Sequence, residues 1–377
     1  MTIQVYMFPG QGSQQRGMGE ALFGRFADLT RIANDILGYS IETLCLDDPD
    51  GKLNQTQYTQ PAIYVVNALS YFRRLEETGT RPDFVLGHSL GEFNALLAAE
   101  CFDFATGLKL VKKRGELMGQ AAGGGMAAVL GASEAQVREL LKANRLDHID
   151  LANFNTPSQI VISGPRGDIM HAVDDFERGD IRCVPLNTSG AFHSRLMRDS
   201  MEKFEKYLRN FQFSALKIPV IANVTARPYQ DETLFTCLAQ QIASPVRWTE
   251  SIQYLMSLGA VEFTELGHGD VVSGLVEKIK AETTAAELQA IQLPRDAYDT
   301  KNVAEATGGS MHNKTQAAAQ KVAQWNSRFP IGQKVRSSIL NTEAETRTEA
   351  VLLFQHRAAI YLKGYNGYFE LDELNPL

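Results

Sequence analysis

The sequence has few cysteines, few tryptophans and no long apolar run. Its four cysteines, among 377 residues, show no Cys-X-X-Cys spacing. This usage is typical of reduced thiols packed as small apolar side chains, and it argues against a disulfide framework. No apolar segment is long enough to span a bilayer, and no charged segment followed by an apolar one indicates a signal peptide. We therefore expect a cytoplasmic protein that does not enter a membrane.

The sequence also has fewer positively than negatively charged residues. The chain carries 37 Lys and Arg against 44 Asp and Glu, a formal net charge of −7. That balance disfavours a general affinity for nucleic acid or an anionic membrane surface. The apolar fraction of 44% and the charged fraction of 21% are ordinary for a globular protein. Because the chain is long for one core, we expect two domains, or one domain with an appendage. Composition selects no function.

Strand-like and helix-like segments alternate in two stretches, residues 1–124 and 188–282. The opening "IQVYMFPGQGSQ" reads as a strand and a Gly-rich loop, and "DFVLGHSLGE" as a strand, a turn and the start of a helix. This alternation predicts an α/β domain built on a mainly parallel sheet. Residues 125–187 instead show the order β-α-β-β-α-β, which predicts a ferredoxin-like subdomain inserted into the larger one.

The last part of the chain differs in composition. Residues 283–316 drift to Ala, Thr, Asn, Gly and charge, a pattern that predicts a linker. Residues 317–377 contain short β-patterned runs, and the pair Asn366-Gly367 is a strong hairpin signal. The sequence therefore predicts a small β-rich appendage at this end.

The segment Gly87-His88-Ser89-Leu90-Gly91 fits the pattern G-x-S-x-G. Flanking glycines let a chain bend sharply between a strand and a helix, so that the serine hydroxyl stands exposed at the sheet edge. The following helix would direct free N–H groups toward an oxyanion. A serine that merely caps the helix explains the pentapeptide equally well. The strand before and the helix after it favour a nucleophile.

A nucleophilic serine needs a base. His88 is adjacent in sequence, so on a tight turn its side chain is directed away from Ser89. His193, in "NTSGAFHS", follows a strand and a glycine turn, a setting from which it could reach a neighbouring strand's end. His268, in "ELGHGD", has a similar setting. The residues alone favour His193 over His268 only slightly.

Arg114 is an anomaly on its helix. At 100° per residue it lies in the middle of an apolar stripe, opposite a charged face. A buried guanidinium must be paired, because its desolvation costs several kcal/mol. Its partner could be an acidic side chain elsewhere in the fold, or the carboxylate of a substrate held by the planar guanidinium. The apolar neighbours on the stripe are Leu110, Val111, Leu117 and Met118.

Seven motifs together resemble those of malonyl-CoA:acyl carrier protein transacylases and of the acyltransferase domains of polyketide synthases. They are "FPGQGSQ", "GHSLGE", "KRGELM", "NFNTPSQIVISG", "GAFHS", "PVRW" and "ELGHGDVVSGL", in the family's order and spacing. The resemblance covers about residues 3–282. It implies an α/β-hydrolase-like core with an inserted ferredoxin-like subdomain.

The resemblance also implies roles for individual residues. Ser89 would be the nucleophile and His193 the general base, oriented by the main-chain carbonyl of Arg247. The backbone N–H groups of Gln11 and Leu90 would form the oxyanion hole.

Further roles concern the substrate. Arg114 would bind the malonyl carboxylate, and Asn155, Phe192 and Met118 would line the substrate site. Relatives that accept methylmalonyl groups tend to carry Ser in place of Phe192 and Gln in place of Leu90, so the resemblance favours malonyl as the acyl group. The family usually has proline where this chain has His268.

The implied reaction has two half-reactions. Malonyl-CoA acylates Ser89, and the phosphopantetheine thiol of an acyl carrier protein then accepts the malonyl group. Malonyl-CoA is a substrate, and neither a permanently bound cofactor nor a metal is expected. The segment "LFQHRAAIYLKGYNGYFELDEL" is similar to extensions on discrete acyltransferases that act in trans on polyketide synthases. We expect such an enzyme, with fatty acid synthesis as the other pathway of this family.

Two other functions are compatible with this fold. A proofreading acyl hydrolase would release acyl groups from carrier proteins as free acids, but such relatives commonly lack the carboxylate-binding arginine. A non-enzymatic module could bind a carrier protein without needing Ser89, His193 or Arg114. Because carrier proteins are typically acidic, a local basic patch is expected, and its candidates are Lys112, Lys113 and Arg195.

Overall fold

The computed structural model of the chain divides into two compact units. The first comprises Met1–Leu208 and Ser214–Leu293, and the second Arg209–Phe213 and Pro294–Leu377. Among the described residues, no helix combines the length and the apolar character needed to cross a bilayer. The residues described are 2–179, 181–230, 232–292, 310–337, 343–353, 357–363 and 368–377.

A sheet of four parallel strands forms the centre of the first unit, in the order β7-β2-β1-β8. The inner strands carry mainly apolar residues because helices cover a parallel sheet on both faces. The predicted α/β architecture is therefore confirmed. The strands are β1 Ile3–Phe8, β2 Phe84–Gly87, β7 Val220–Ile221 and β8 Val261–Glu265.

Helices connect these strands. The helix that carries Arg114 begins after Asp103, whose carboxylate accepts a hydrogen bond of 2.7 Å from the Thr106 N–H, an N-cap that fixes where the helix starts. The described α-helices of the first unit outside the inserted segment are α1 Glu20–Phe23, α2 Ala27–Leu37, α3 Ile41–Leu46, α4 Thr56–Thr78, α5 Gly91–Ala98, α6 Phe104–Gly119, α9 Arg198–Leu208, α10 Leu234–Gln240, α11 Trp248–Ser257, α12 Val271–Glu282 and α13 Ala285–Gln292.

The inserted segment forms a second sheet with its own apolar core. Its strands are antiparallel in the order β4-β5-β3-β6, and Val129, Ile162 and Phe176 are among the side chains buried beneath it. The predicted element order is observed within two residues of the predicted bounds. The elements are β3 Gly124–Leu130, α7 Glu134–Ala143, β4 Asp150–Thr156, β5 Gln159–Pro165, α8 Arg166–Arg178 and β6 Arg182–Pro185.

Main-chain hydrogen bonds join the inserted sheet to the core. The Phe154 N–H donates to the Val246 carbonyl, and the Val246 N–H donates to the Ala152 carbonyl, both at 2.9 Å. This short parallel bridge fixes the end of β4 beside the segment that precedes α11. It therefore determines where Asn155 lies.

The segment predicted as a linker contains helical residues at both of its ends. Within residues 283–316 lie helix α13 and the start of helix α14, Ser310–Arg328, which crosses the predicted boundary at residue 316. Both segments are rich in alanine and glutamine, and the helix propensity of these residues outweighs the loop-like composition around them.

The second unit also contains short strands, as the sequence predicts. They form two antiparallel three-stranded sheets, β10-β9-β14 and β11-β12-β13. The Asn366-Gly367 turn lies outside the described residues. The strands are β9 Lys334–Ser337, β10 Glu343–Glu345, β11 Val351–Leu353, β12 Arg357–Tyr361, β13 Tyr368–Glu370 and β14 Leu374–Pro376.

Candidate active site

Ser89 lies on a sharp turn between strand β2 and helix α5. Its backbone is in the left-handed region, with φ of 50°, a conformation that costs a non-glycine residue free energy and is often found at functional sites. The flanking positions have no room for a side chain. A Cβ on Gly87 would lie 1.9 Å from the Gly91 carbonyl carbon, and a Cβ on Gly91 would lie 2.1 Å from the Phe8 carbonyl oxygen. Glycine at both positions therefore allows the turn.

The Ser89 hydroxyl does not cap helix α5, at whose start the described residues form no side-chain cap hydrogen bond, and it contacts His193 instead. Its Oγ lies 2.7 Å from Nε2 of the imidazole. The imidazole Nδ1 lies 2.8 Å from the Gln241 carbonyl and 3.1 Å from the Ser244 carbonyl. Since carbonyls only accept hydrogen bonds, Nδ1 carries the proton and Nε2 is the acceptor that faces the serine. The structure thus brings together the two residues that the sequence favours as nucleophile and base.

The predicted role of the Arg247 carbonyl is wrong. This oxygen accepts hydrogen bonds from the Ser251 N–H at 3.0 Å and the Ser251 Oγ at 2.8 Å. Arg247 is the N-cap of helix α11, so its carbonyl begins that helix's hydrogen-bond ladder. Gln241, six residues earlier, supplies the nearer carbonyl to the histidine. The rival His268 instead lies 3.4 Å from the Gln15 side-chain oxygen.

His193 is buried, with 4% of its surface exposed. Burial, and next the nearby positive charge of Arg114, lower the pKa of His193 to about 3. The imidazole is therefore neutral at neutral pH. A neutral imidazole with a free Nε2 can accept the serine proton.

Arg114 reaches the same point from helix α6, with only 1% of its surface exposed. Its guanidinium donates to the side-chain oxygens of Gln60 and Gln241, both at 2.8 Å, and to Ser89 Oγ at 3.1 Å. Its Nε has no protein acceptor in the described part of the chain. Burial lowers the pKa of Arg114 to about 9, which leaves it charged at neutral pH.

The alternative of a structural ion pair is not observed. Among the described residues, no carboxylate lies within ion-pair distance of Arg114. Amide oxygens hold the guanidinium in place without cancelling its charge. The site therefore contains a buried positive charge 3.1 Å from the serine hydroxyl.

Glu92 is a part of the site that sequence reasoning missed. It lies fully buried on helix α5 and accepts hydrogen bonds from the Tyr229 hydroxyl at 2.5 Å, the Gln241 side-chain amide at 2.5 Å and the Asn223 N–H at 3.1 Å. Burial raises the pKa of Glu92 to about 7. The signal was a lone carboxylate in the apolar helix "GEFNALLA", the same kind of anomaly that singled out Arg114.

Gln60 and Met118 hold the other side of the guanidinium. The Gln60 amide nitrogen lies 3.3 Å from the Met118 sulfur, which directs the amide oxygen toward Arg114. Met118 is 2% exposed. A substrate contact by Met118 stays a prediction, because its described role is to orient Gln60.

Asn155 and His88 form a pair at the edge of the site. The Asn155 side-chain oxygen lies 2.8 Å from His88 Nε2, so His88 is held by the inserted sheet. Desolvation lowers the pKa of His88. Contact of Asn155 with substrate stays a prediction, as does that of Phe192, which is 5% exposed and directly precedes His193.

The predicted oxyanion-hole donors lie in turns. Leu90 is in the tight turn before helix α5, and Gln11 is in the turn after strand β1. Within the described residues, neither backbone N–H donates to a protein acceptor. Both groups remain available to another acceptor.

Each candidate of the predicted basic patch already has an intramolecular contact. Lys112 donates to the Ile36 carbonyl at 2.9 Å, Lys113 lies 3.7 Å from Glu116, and Arg195 pairs with Asp150. Carrier docking by these residues stays a prediction.

A serine on a strand-to-helix turn, with a neutral histidine and a buried cation beside it, defines a serine-dependent acyl-transferring or acyl-hydrolysing site. The family model described as "Acyl transferase domain" matches residues 5–268 of the chain. The chain therefore belongs to the acyl transferase domain family.

Several relatives of known name cover the same region. The chain is 53% identical over 284 residues to the polyketide biosynthesis malonyl CoA-acyl carrier protein transacylase BaeC of Bacillus velezensis, an alignment that covers 75% of this chain and 98% of that protein. It is 56% identical over 280 residues to the polyketide biosynthesis protein PksE of Bacillus subtilis, over 74% of this chain. The match spans only 36% of PksE.

Solved structures are similar as well. The malonyl CoA-acyl carrier protein transacylase of Burkholderia pseudomallei has 56% sequence identity and a TM-score of 0.74, covering 76% of this chain and all of that one. A malonyl-transacylase in complex with a type II polyketide synthase acyl carrier protein has 30% identity and a TM-score of 0.71, covering 77% and 99% of the two chains.

Proposed function

We propose that this chain transfers a malonyl group from malonyl-CoA, through an ester on Ser89, to the phosphopantetheine thiol of an acyl carrier protein. The observation that carries the proposal is the unpaired Arg114 guanidinium 3.1 Å from the oxygen that His193 contacts. A cation at the nucleophile favours an acyl group that ends in a carboxylate. BaeC and the Burkholderia protein are both named malonyl CoA-acyl carrier protein transacylases, which supports the same substrate.

The first half-reaction acylates the serine. His193 Nε2 takes the Ser89 proton as Oγ attacks the thioester carbonyl, which forms a tetrahedral oxyanion. The N–H groups of Gln11 and Leu90 would stabilise that oxyanion, and their lack of protein acceptors in the described chain supports this role. The C–S bond then breaks, the Nε2 proton passes to the sulfur, and CoA leaves.

The second half-reaction repeats these steps with a different thiol. The carrier's phosphopantetheine thiol gives its proton to His193 Nε2 and attacks the ester. The C–O bond breaks, and the proton returns to Ser89 Oγ. The low pKa of His193, about 3, keeps the imidazole neutral, with Nε2 unprotonated, before each attack.

Arg114 would select the acyl group. The malonyl carboxylate is separated from the reacting carbonyl by one methylene, and the guanidinium lies directly beside the nucleophile. The Arg114 Nε, which has no acceptor among the described residues, could donate to that carboxylate. Phe192, buried beside His193, would crowd a 2-methyl substituent, so we assign malonyl in preference to methylmalonyl.

Within the α/β class, we propose a more specific fold for each part of the first unit. We assign an α/β-hydrolase-like core because a parallel sheet carries the serine at a strand-to-helix turn. We assign residues 125–187 to a ferredoxin-like subdomain because β-α-β-β-α-β elements form an antiparallel sheet in the order β4-β5-β3-β6.

The pathway that we propose is polyketide synthesis, with the enzyme acting in trans on a synthase in the cytoplasm. The relatives of 53–56% identity that are named for polyketide biosynthesis support this choice. Fatty acid synthesis is the alternative, since transacylases with general names match at 37–40% identity.

The test is transfer to a carrier protein. The full chain is incubated with malonyl-CoA and a phosphopantetheinylated acyl carrier protein, and the carrier's mass and free malonate are measured together. We expect the malonylated carrier, with little free malonate. Release of malonate as the main product would indicate a proofreading hydrolase, and a chain that is never malonylated would indicate a docking module.

A further inference from the structure

Glu92 receives hydrogen bonds from three residues in two segments of the chain. The donors are the Tyr229 hydroxyl after strand β7, the Asn223 N–H and the side-chain amide of Gln241. All three residues are buried. A carboxylate suits this position because, when ionised, it only accepts hydrogen bonds and has four lone-pair sites.

Gln241 links Glu92 to the serine, the histidine and the arginine of the site. Its amide nitrogen donates to Glu92 and, at 2.6 Å, to the Ser89 carbonyl, while its amide oxygen accepts from Arg114 at 2.8 Å. Its main-chain carbonyl accepts from His193. One glutamine therefore contacts the nucleophile's backbone, the base and the cation.

The orientation of this amide matters because its two ends are chemically opposite. If the amide turned over, its NH₂ group would face the guanidinium, which is itself only a donor. Arg114 would lose an acceptor and would move away from the serine. Nothing about the Gln241 side chain itself selects the correct orientation, so its surroundings must.

We propose that Glu92 is a positioning residue for acyl-group selection: by accepting from the Gln241 amide nitrogen, it fixes the amide oxygen toward Arg114 and so keeps the guanidinium at Ser89. This inference rests on the proposed malonyl transfer. Glu92 accepts no hydrogen bond from Arg114 in the described chain, and the hydrogen bonds that link it to the guanidinium run through the Gln241 amide.

The test compares the malonyl and acetyl loading of Ser89 in Glu92→Gln with that in the wild type. The substitution keeps the size of the side chain but places a new donor among three donors, so the Gln241 amide nitrogen loses one of its two acceptors and keeps only the Ser89 carbonyl. We expect the ratio of kcat/KM for malonyl-CoA over acetyl-CoA to fall about tenfold, the effect of one misplaced hydrogen bond to a charged group. A merely structural role would lower stability and leave this ratio unchanged.

Glu265→Gln is the matched control. Glu265 is partly buried and accepts from the N–H groups of Val272 and Ser273 at the start of helix α12. It contacts none of the groups proposed to react. Its substitution should lower the thermal unfolding midpoint while the malonyl-to-acetyl ratio stays that of the wild type.

A second variant keeps the test decisive if Glu92→Gln does not fold. Gln241→Met removes both ends of the amide and should lower the ratio by at least as much. In a double-mutant cycle, adding Glu92→Gln to Gln241→Met should lower it no further, since the two residues act as one unit. A wild-type ratio in Gln241→Met, or additive losses in the cycle, would overturn the proposal. Absence of malonyl loading in the wild type would instead overturn the proposed function.

Discussion

Two arginines of the first unit show opposite ways of holding a positive charge. At the edge of the inserted sheet, Arg195 donates to both carboxylate oxygens of Asp150, at 2.5 to 3.0 Å, and this pairing raises the pKa of Arg195. At the buried centre, Arg114 meets two amide oxygens and a hydroxyl, and burial lowers its pKa. At the edge, the charge of Arg195 is paired with a carboxylate of the protein itself. The Arg114 guanidinium at the centre is not neutralised by a carboxylate of the described residues, so its charge can bind an anionic ligand.

The difference shows what a neutral amide achieves that a carboxylate does not. A carboxylate beside Arg114 would repay its desolvation but would cancel the charge and compete with an anionic acyl group. Gln60 and Gln241 orient the guanidinium and leave that charge in place. The Gln241 side chain lies between the guanidinium and Glu92, the carboxylate that could neutralise it: the amide oxygen accepts from Arg114 and the amide nitrogen donates to Glu92.

The largest expected effect comes from removing the central charge. Arg114→Ala should lower kcat/KM for loading from malonyl-CoA by about 10²- to 10³-fold, as is typical when one partner of a buried charged pair is truncated. Loading from acetyl-CoA should not fall in proportion, because acetyl has no carboxylate. Parallel single-turnover rates with both thioesters measure this. Equal losses for both would make Arg114 a structural residue.

Removing one amide oxygen should have an intermediate effect. Gln60→Leu deprives Arg114 of one acceptor while the charge stays, so malonyl selectivity should fall about tenfold. The same pair of loading rates measures it. If selectivity stayed at the wild-type value, the remaining contacts to Gln241 and Ser89 would suffice to hold the guanidinium.

The positive charge of Arg114 should also affect the pKa of His193. In the wild type, ¹⁵N NMR of labelled His193 should show a neutral imidazole protonated at Nδ1 down to pH values near its pKa of about 3. In Arg114→Ala, one of the causes that lower this pKa is gone, so the pKa should rise. A wild-type imidazole that titrates like that of the denatured chain, near about 6.5, would contradict this.

The lowered pKa of His193 also makes the free energy of unfolding depend on pH. Because the folded pKa lies below the unfolded value of about 6.5, the unfolded chain binds more protons between that value and about 3. The contribution of His193 to the free energy of unfolding is therefore complete above the unfolded pKa and is lost as the pH falls toward the folded one.

The smallest effect should come from substituting Arg195, the arginine that is paired with Asp150. Arg195 has an exposed side-chain fraction of 42%, so its ion pair should contribute about 1 kcal/mol or less. Arg195→Ala should leave loading from both thioesters within about twofold of the wild type. Loss of carrier transfer with intact loading would instead support the predicted docking patch.

Much of the site could be predicted from the sequence because its residues break local patterns. Ser89 stands between two glycines, and Arg114 interrupts an apolar stripe. Glu92 could have been found in the same way, since it is alone in an apolar helix. Gln60 and Gln241 break no pattern, and only their hydrogen bonds show their role.

The wrong prediction concerned a main-chain carbonyl. Every residue has one, so no side chain marks which carbonyl faces His193. The loop before helix α11 decides this by placing Gln241 at the imidazole and using Arg247 to start the helix. The element order of the core and of the inserted sheet was predictable from periodicity, whereas α13 was missed because its composition resembles a linker.

The proposed function depends most directly on the transfer of a malonyl group from malonyl-CoA to Ser89. The most direct measurement is the intact mass of the wild type and of Ser89→Ala after exposure to malonyl-CoA without a carrier, followed by peptide mapping. We predict one malonyl group per wild-type chain, located on Ser89, and none on the variant. An unmodified wild type, or the same adduct on Ser89→Ala, would contradict the account.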